Sequence, residues 1–337
     1  MLRRQFFPFI AFPLLAQAAA RNLILVTVDG LRWQEVFNGI DPSLMGERAA
    51  HMENARALRD RLWRESPQQR REALMPIFWK QLAPQALILD TVRVTNGYKV
   101  SYPGYSEILT GRAQDDVIQG NAPKQQPTET VLEFIQRKLK LTKQQVAVFG
   151  SWAAFQWISE SKPGSLFINA GYADSAATPS IAELSKRQHE ILTEDDEARH
   201  DWFTFEMALD YLKNIQPRVL YIAFNETDEW AHQRRYNRVL QSAAYFDQCL
   251  AKLWSTIQSM PSYRDQTALV ITSDHGRGGT LQDFSDHGSR VPGAERIWLA
   301  IAGPNKPAPW PEPKQRDIAG VILKMLGIDP TEYLPRT

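Results

Sequence analysis

The amino-acid sequence predicts an α/β fold in which a mostly parallel central sheet carries helices on both faces. Short apolar runs alternate with longer amphipathic segments along the chain, the order expected when each strand is followed by a crossover helix. Several runs are apolar at nearly every position, as in strands that are buried on both faces. The chain has 337 residues, 43% of them hydrophobic, which is enough for one large domain with a substantial core.

Six apolar runs predict the strands, and amphipathic segments between them predict the helices. The strands are expected at residues 22–28, 87–94, 145–150, 218–224, 268–273 and 296–302. Helices are expected within 42–82 and at 127–140, 203–214, 236–257 and 316–326. Residues 151–203 have an irregular pattern with several glycines and prolines, so we expect an inserted lid segment there.

The first twenty residues predict a secretory signal peptide. Arg3 and Arg4 give a positively charged start, residues 6–15 are apolar, and residues 16–18 (Ala-Gln-Ala) form a small-residue cleavage pattern. The arginine pair, followed by Gln and two Phe, also resembles a twin-arginine signal. The apolar run is too short, and too interrupted by prolines, for a membrane span. We therefore expect residues 21–337 to form a single exported domain, periplasmic or secreted, with no membrane span in the mature protein.

Charge and cysteine content exclude two classes of interaction. The formal net charge is +1, so we expect no bulk binding of nucleic acid. Cys249 is the only cysteine, which rules out an internal disulfide. The composition does not indicate an oligomeric state.

The Asp-His-Gly sequence occurs twice just beyond the predicted strand 268–273. Asp274 and His275 belong to the first copy, and His287 lies in the second copy, twelve residues further along. Carboxylate and imidazole groups at the tip of a strand are metal ligands at the place where α/β proteins build their sites. A single copy is equally typical of a turn, but two copies favour a metal site.

Two other predicted strands also end in ligand-type residues. Asp29 follows the first strand, where it is either a metal ligand or the N-cap of a helix. Asp228 and His232 follow strand 218–224 and are four residues apart, so they share one face if a helix begins there. The alternative for this pair is a simple contact on a helix surface.

Ser101 begins the sequence Ser-Tyr-Pro-Gly, after a loop and before a predicted helix. A helix N-terminus presents free backbone N–H groups, which favour an incoming anion. The alternative is a capping serine without a chemical role. Together with the strand ends, the chain offers three carboxylates, three imidazoles and one hydroxyl, which suffice for two ions of the zinc type.

The order of these pieces resembles the alkaline phosphatase superfamily, most closely its nucleotide pyrophosphatase/phosphodiesterase branch. The matching pieces are VTVDG at 26–30, SYPGYSEILTG at 101–111, TDEWAH at 227–232, SDHG at 273–276 and DHG at 286–288. The resemblance extends from residue 22 to about residue 328 and implies an alkaline-phosphatase-like fold.

The resemblance also implies a role for each candidate residue. One divalent ion, with zinc expected, is implied at Asp29, Asp274 and His275 with the Ser101 oxygen, and a second at Asp228, His232 and His287. Ser101 is implied as the nucleophile that forms a phosphoserine intermediate. Asn121 is similar to an asparagine that binds a phosphoryl oxygen in this branch.

These roles predict an exported two-metal hydrolase of small phosphoric esters, of the phosphodiesterase/pyrophosphatase type. The alternatives are a phosphomonoesterase, a transferase of phosphoryl-linked groups, and a metal-dependent phosphoester-binding protein without turnover. A sulfatase is disfavoured, because Tyr105 stands where the sulfatase pattern has arginine. Ala223 stands where alkaline phosphatases carry the glutamate of a third metal site, and this favours a diester over a monoester.

Overall fold

A seven-stranded sheet forms the centre of the computed structural model, with the strand order β2-β7-β6-β1-β5-β3-β4. The structure describes residues 18–334 except 47, 53, 54 and 192. The predicted signal peptide falls almost entirely on residues 1–17, outside the described part of the chain. Among the described residues, no helix combines the length and the hydropathy that a membrane span requires.

The elements follow one another as an alternation of strands and helices. The strands are β1 (Asn22–Val28), β2 (Leu87–Arg93), β3 (Val146–Gly150), β4 (Phe167–Ala170), β5 (Val219–Phe224), β6 (Thr267–Thr272) and β7 (Arg296–Ala302). The first helices are α1 (Trp33–Asn38), α2 (Ala55–Leu62), α3 (Pro67–Leu74), α4 (Ser101–Thr110), α5 (Val131–Leu139) and α6 (Phe155–Ile158). The later ones are α7 (Pro179–Arg187), α8 (Asp201–Asn214), α9 (Glu226–His232), α10 (Tyr236–Ser259) and α11 (Asp317–Met325).

The sheet is parallel apart from β7, which runs antiparallel to its neighbours β2 and β6. β1 lies in the middle, between β5 and β6, and is buried along its whole length. This burial on both faces explains why its sequence is an almost unbroken apolar run. All six predicted strands are present, and the predicted mostly parallel α/β sheet is confirmed.

Alternate residues of β1 point into two separate cores, one on each face of the sheet. Ile24, Val26 and Val28 pack in the core that α8 and α10 cover. Leu23 and Leu25 pack in the core that α4, α5 and α11 cover. The prediction of helices on both faces is therefore confirmed.

Residues 151–203 contain an edge strand that the sequence analysis missed. β4 pairs in parallel with β3, and α6 and α7 flank it in the chain. Our interpretation of the segment as an irregular insertion was wrong for this part. A four-residue strand at the edge of a sheet is too short, and too exposed on one side, to produce a clear hydrophobic pattern. That the rest of the segment acts as a lid stays a prediction.

Candidate functional site

Three neighbouring strands bring their carboxyl ends to one edge of the sheet. Val28 at the end of β1 is in register with Phe224 of β5, and Thr27 is in register with Thr272 of β6. Asp29, the first turn of α9 and Asp274 are therefore neighbours in space, although far apart in the chain. Ligands bind at this edge in open α/β sheets.

The imidazole of His275 stands among three carboxylates. Its Nε2 is 3.4 Å from Oδ1 of Asp29, 3.3 Å from Oδ2 of Asp274 and 3.7 Å from Oδ1 of Asp228. His275 and Asp274 are fully buried. The ligand atoms of Asp29, Asp274 and His275 lie within 4.8 Å of one another, close enough to hold one metal ion.

A second group of ligand atoms adjoins the first. Oδ2 of Asp228 is 3.0 Å from Nε2 of His232, and this nitrogen is 3.1 Å from Nε2 of His287. The ring of His287 stacks on that of His275, with centroids 3.9 Å apart. Ligand atoms of Asp228, His275 and His287 also lie within 4.8 Å of one another, so His275 borders both groups.

The Nδ1 atom of His287 lies 3.2 Å from the carbonyl oxygen of Lys99. Because a carbonyl only accepts hydrogen bonds, Nδ1 carries the proton and Nε2 keeps its lone pair. Burial, followed by the charge of His275, lowers the pKa of His287 to about 2. A neutral imidazole held in this tautomer is the form that binds a metal ion.

The buried carboxylates lack the partners that their charges require. Burial raises the pKa of Asp29 and of Asp274 well above the ordinary value, and Oδ1 of Asp29 and Oδ2 of Asp274 have no hydrogen-bond partner. Buried charges in proteins are normally paired or coordinate metals. These orphaned oxygens, together with a donor set of carboxylates and imidazoles, fit divalent ions of the zinc type.

Ser101 is the first residue of α4, and its Oγ is 3.4 Å from Nε2 of His275. Val100 is the N-cap, without a capping side-chain hydrogen bond, so the alternative of a capping serine was wrong. Oδ1 of Asn121 accepts a hydrogen bond of 2.9 Å from the backbone N–H of Tyr102. Asn121 therefore lies beside the nucleophile candidate, and its role in binding a phosphoryl oxygen stays a prediction.

The eight predicted site residues all meet at this edge of the sheet. The N-cap of α1 is Arg32, so the capping alternative for Asp29 was wrong. Asp228 is only 7% exposed, which excludes a simple surface contact with His232. The ligand and catalytic roles of these residues stay predictions.

A sequence profile matches the part of the chain that carries most of the site residues, and solved structures match its fold. A sequence profile of the Metalloenzyme superfamily matches residues 194–329, which contain Asp228, His232, Asp274, His275 and His287. No curated protein matches the chain significantly in sequence. A protein in the alkaline phosphatase superfamily from Vibrio parahaemolyticus superposes with a TM-score of 0.55 at 13% identity, covering 95% of this chain and 72% of that one. The fold is that of the alkaline phosphatase superfamily.

Two further structures share this alkaline-phosphatase fold. The lipoteichoic acid synthase LtaP from Listeria monocytogenes has a TM-score of 0.58 at 10% identity, and the match covers 93% of this chain and 73% of that one. The 2-O GAG sulfatase BT1596 has a TM-score of 0.57 at 12% identity, covering 92% of this chain and 71% of its own. The resemblance predicted from the motifs is confirmed at the level of the fold, and the matches do not specify the nucleotide pyrophosphatase branch.

Within the alkaline-phosphatase fold, three residues that the sequence analysis missed hold the site together. Tyr105 donates a hydrogen bond of 2.9 Å from its hydroxyl to Oδ2 of Asp29. Arg277 donates to Oδ1 of Asp228, and its charge holds the pKa of that carboxyl well below the ordinary value although burial alone would raise it. Both residues lie inside or next to recognised motifs, but the motifs do not show where their side chains point.

The third missed residue is Glu107, a buried carboxylate on α4. It accepts hydrogen bonds from the backbone N–H groups of Thr95 (3.0 Å) and Asn96 (2.8 Å), and another from the Thr95 hydroxyl. Burial raises the pKa of Glu107 in spite of these bonds. Glu107 thus ties the loop that leads to Ser101 to the helix that Ser101 begins.

Proposed function

We propose that the protein is a two-metal hydrolase of phosphoric esters with Ser101 as its nucleophile. The observation that carries this proposal is the position of the Ser101 hydroxyl. It lies at a helix N-terminus, 3.4 Å from Nε2 of His275, beside buried carboxylate oxygens that have no partner. A nucleophile, an anion-binding helix end and a metal-ligand set in one place are the parts that phosphoryl transfer needs.

Asp29, Asp274 and His275 would hold one ion next to Ser101, and Asp228, His232 and His287 would hold the other. Ions bound there supply Lewis acidity, which favours the ionised serine hydroxyl and offsets the charge of the phosphoryl group. Carboxylate and imidazole donors favour zinc, which we expect at both positions.

The residues of α4 and its neighbour Asn121 would orient the phosphoryl group. The helix N-terminus contributes a positive end of the dipole, and α4 is ten residues long. The amide oxygen of Asn121 is occupied by the N–H of Tyr102, so its amide nitrogen remains as a donor for a phosphoryl oxygen. Ser101 is only 5% exposed, which limits the access of water around the reacting oxygen.

The reaction that we propose is a double displacement. Oγ of Ser101 gives up its proton and forms a bond to phosphorus, the bond to the leaving alcohol oxygen breaks, and this oxygen takes up a proton. Water then attacks the phosphorylated serine, which still carries the second ester group when the substrate is a diester, and this step releases a phosphomonoester and regenerates the hydroxyl. Each displacement reverses the configuration at phosphorus, so the overall reaction retains it.

We propose small phosphodiesters as the substrate class, in preference to monoesters. Ala223 lies within the buried strand β5, at the position expected for the third-metal glutamate of alkaline phosphatases. A methyl group there offers no ligand for an additional ion. Export through the N-terminal segment is also part of the proposal, and it rests on the sequence of residues 1–20.

Hydrolysis of two chromogenic esters tests the function. The zinc-loaded protein should hydrolyse bis-p-nitrophenyl phosphate faster than p-nitrophenyl phosphate, and Ser101→Ala should lose this activity by about 1,000-fold or more. Ser289→Ala, at an exposed serine beside the second Asp-His-Gly, is the matched control and should retain full activity. Mass spectrometry of acid-quenched enzyme should find a p-nitrophenyl phosphoryl group on Ser101 after reaction with the diester, and phosphate on Ser101 after reaction with the monoester.

Three results decide against parts of this proposal. Full activity in Ser101→Ala would exclude Ser101 as the nucleophile. Faster turnover of the monoester would favour the phosphomonoesterase alternative. A protein that binds metal but hydrolyses neither ester would favour the phosphoester-binding alternative.

A further inference from the structure

Arg277 lies against Asp228, a member of the second group of ligand atoms, and is only 1% exposed. It directly follows the first Asp-His-Gly sequence. Its Nη2 donates to Oδ1 of Asp228 and also, at 3.2 Å, to the carbonyl oxygen of the same residue. Its Nη1 donates to the carbonyl oxygen of Ser285, two residues before His287. One guanidinium therefore joins a helix, a strand end and a loop.

The surroundings of Arg277 are built to accommodate this side chain. Gly30 has a φ of 56°, and a Cβ at this position would be 2.8 Å from Nε of Arg277 and would also collide with Asp228. The position therefore requires glycine for its backbone conformation and for the space that the guanidinium occupies. The glycine two residues after β1 thus leaves the room that the arginine five residues after β6 occupies.

The loop between the two Asp-His-Gly copies is closed around the same arginine. The N–H of Gly278 donates to the carbonyl oxygen of Asp286 at 3.0 Å, and Nη1 of Arg32 donates to the carbonyl oxygen of Gly278 at 2.8 Å. Arg277 adds the cross-link from this loop to α9. The loop delivers His287, and α9 carries Asp228 and His232.

We propose that Arg277 is a positioning residue for the second metal site, and that the two-ion state of the protein depends on it. The guanidinium donates to Oδ1 of Asp228, so that Oδ2, which faces His232, would remain as the oxygen that holds the ion. It also fixes the distance between Asp228 and the loop that carries His287. This inference rests on the proposed function, because it concerns how the same site is loaded.

A different hydrogen bond orients the ligands of the first metal site, so the effect of Arg277 on the second site can be measured separately. Asp29 receives its hydrogen bond from the neutral hydroxyl of Tyr105, whereas the guanidinium of Arg277 donates to Asp228. Tyr105→Phe removes that donor while leaving the Arg277 cross-link in place. It is therefore the reciprocal control for a variant at Arg277.

Metal titration of the full-length mature protein tests the proposal. Zinc stoichiometry and affinity are measured by calorimetry and by elemental analysis after dialysis at buffered free zinc, for the wild type and for Arg277→Met, Arg277→Lys and Tyr105→Phe. Loss of a residue that orients a metal ligand typically weakens metal binding by about 10–100-fold. We expect Arg277→Met to weaken the binding of the second ion by this factor and to leave the binding of the first ion nearly unchanged. Arg277→Lys should have an intermediate effect, because it keeps the positive charge but loses the paired N–H donors of the guanidinium.

Tyr105→Phe should show the reverse, a weaker first ion. Excess zinc should restore the phosphodiesterase kcat of Arg277→Met, which a folding defect would not allow, and thermal unfolding of the metal-free variants monitors folding directly. Unchanged affinity for the second ion in Arg277→Met would overturn the proposal, and so would an equal loss of both ions. If the wild type itself binds fewer than two ions, the proposed two-metal function is wrong. That result differs from one in which the wild type binds two ions and only the role of Arg277 is contradicted.

Discussion

Replacing Gly104 by alanine tests whether the placement of α4 controls the chemistry of Ser101. Gly104 is the fourth residue of α4 and lies against the backbone of Asp274. An added Cβ would be 3.0 Å from the carbonyl carbon of Asp274 and closer still to its oxygen, whereas ordinary contacts begin at 3.4 Å. Because the obstructing atoms belong to the backbone, α4 or the end of β6 must move, and we expect a shift of about 1 Å.

The expected effect on the rate is much larger than the effect on stability. A misplacement of about 1 Å between reacting groups can reduce the rate by about 100-fold. The steric conflict costs about 1–3 kcal/mol, and the better helix propensity of alanine offsets about 1 kcal/mol of it. Gly104→Ala should therefore lower kcat by about two orders of magnitude while destabilising the fold by no more than about 2 kcal/mol.

Gly320→Ala is the matched control, because it also adds a methyl group to a buried glycine within a helix. Its Cβ would meet the flexible tip of Leu334 at 3.2 Å, and no backbone atom as close. Both variants are compared by kcat and KM for bis-p-nitrophenyl phosphate and by urea unfolding. Wild-type kcat in Gly104→Ala, or an equal loss in Gly320→Ala, would refute the reasoning.

Two further predictions concern pH and metal removal. Burial, followed by the charge of Glu226, raises the pKa of Asp201 from 3.8 to about 7. The raised pKa contributes stability that is complete below about pH 4 and is lost as the pH rises through 7, a change on the order of 4 kcal/mol. Urea unfolding should therefore show the wild type losing stability relative to Asp201→Asn between pH 4 and 8, and parallel profiles would contradict this. Chelation should lower the Tm and added zinc should restore it, since ions at 100 times their Kd stabilise by about 2.7 kcal/mol; an unchanged Tm in differential scanning calorimetry would speak against bound metal.

The strand ends were the most predictable part of this molecule. β1, β5 and β6 are buried on both faces, so their sequences are nearly continuous apolar runs whose ends are easy to locate. Parallel strands carry their carboxyl ends to the same edge, and this brings Asp29 and Asp274 together. The position of Ser101 was harder to predict, because only the order of several motifs indicated that the helix that begins at Ser101 starts at this edge of the sheet.

The features that the sequence analysis missed depend on the direction in which side chains point and on contacts between segments that are distant in the chain. β4 is recognisable only because β3 pairs with it, since four residues carry too little pattern. The identities of Tyr105 and Arg277 are plain in the sequence, but no periodicity reveals that the side chain of Tyr105 contacts Asp29 and that of Arg277 contacts Asp228. Such contacts arise from the packing of segments that are distant in the chain, which a single sequence does not encode locally.

The central position of β1 has a consequence for how the chain folds. Leu23 pairs with Val219 and with Ala268, so the two neighbours of the first strand are 196 and 245 residues further along the chain (219 − 23 and 268 − 23). During synthesis β1 emerges first and then waits for most of the polypeptide before either edge is paired. Such long-range pairing slows folding and leaves an apolar strand open to aggregation. The centre of the sheet is therefore completed only after β6 has been made, and a binding partner that shields β1 until then would protect the chain at the stage when it is most prone to aggregate.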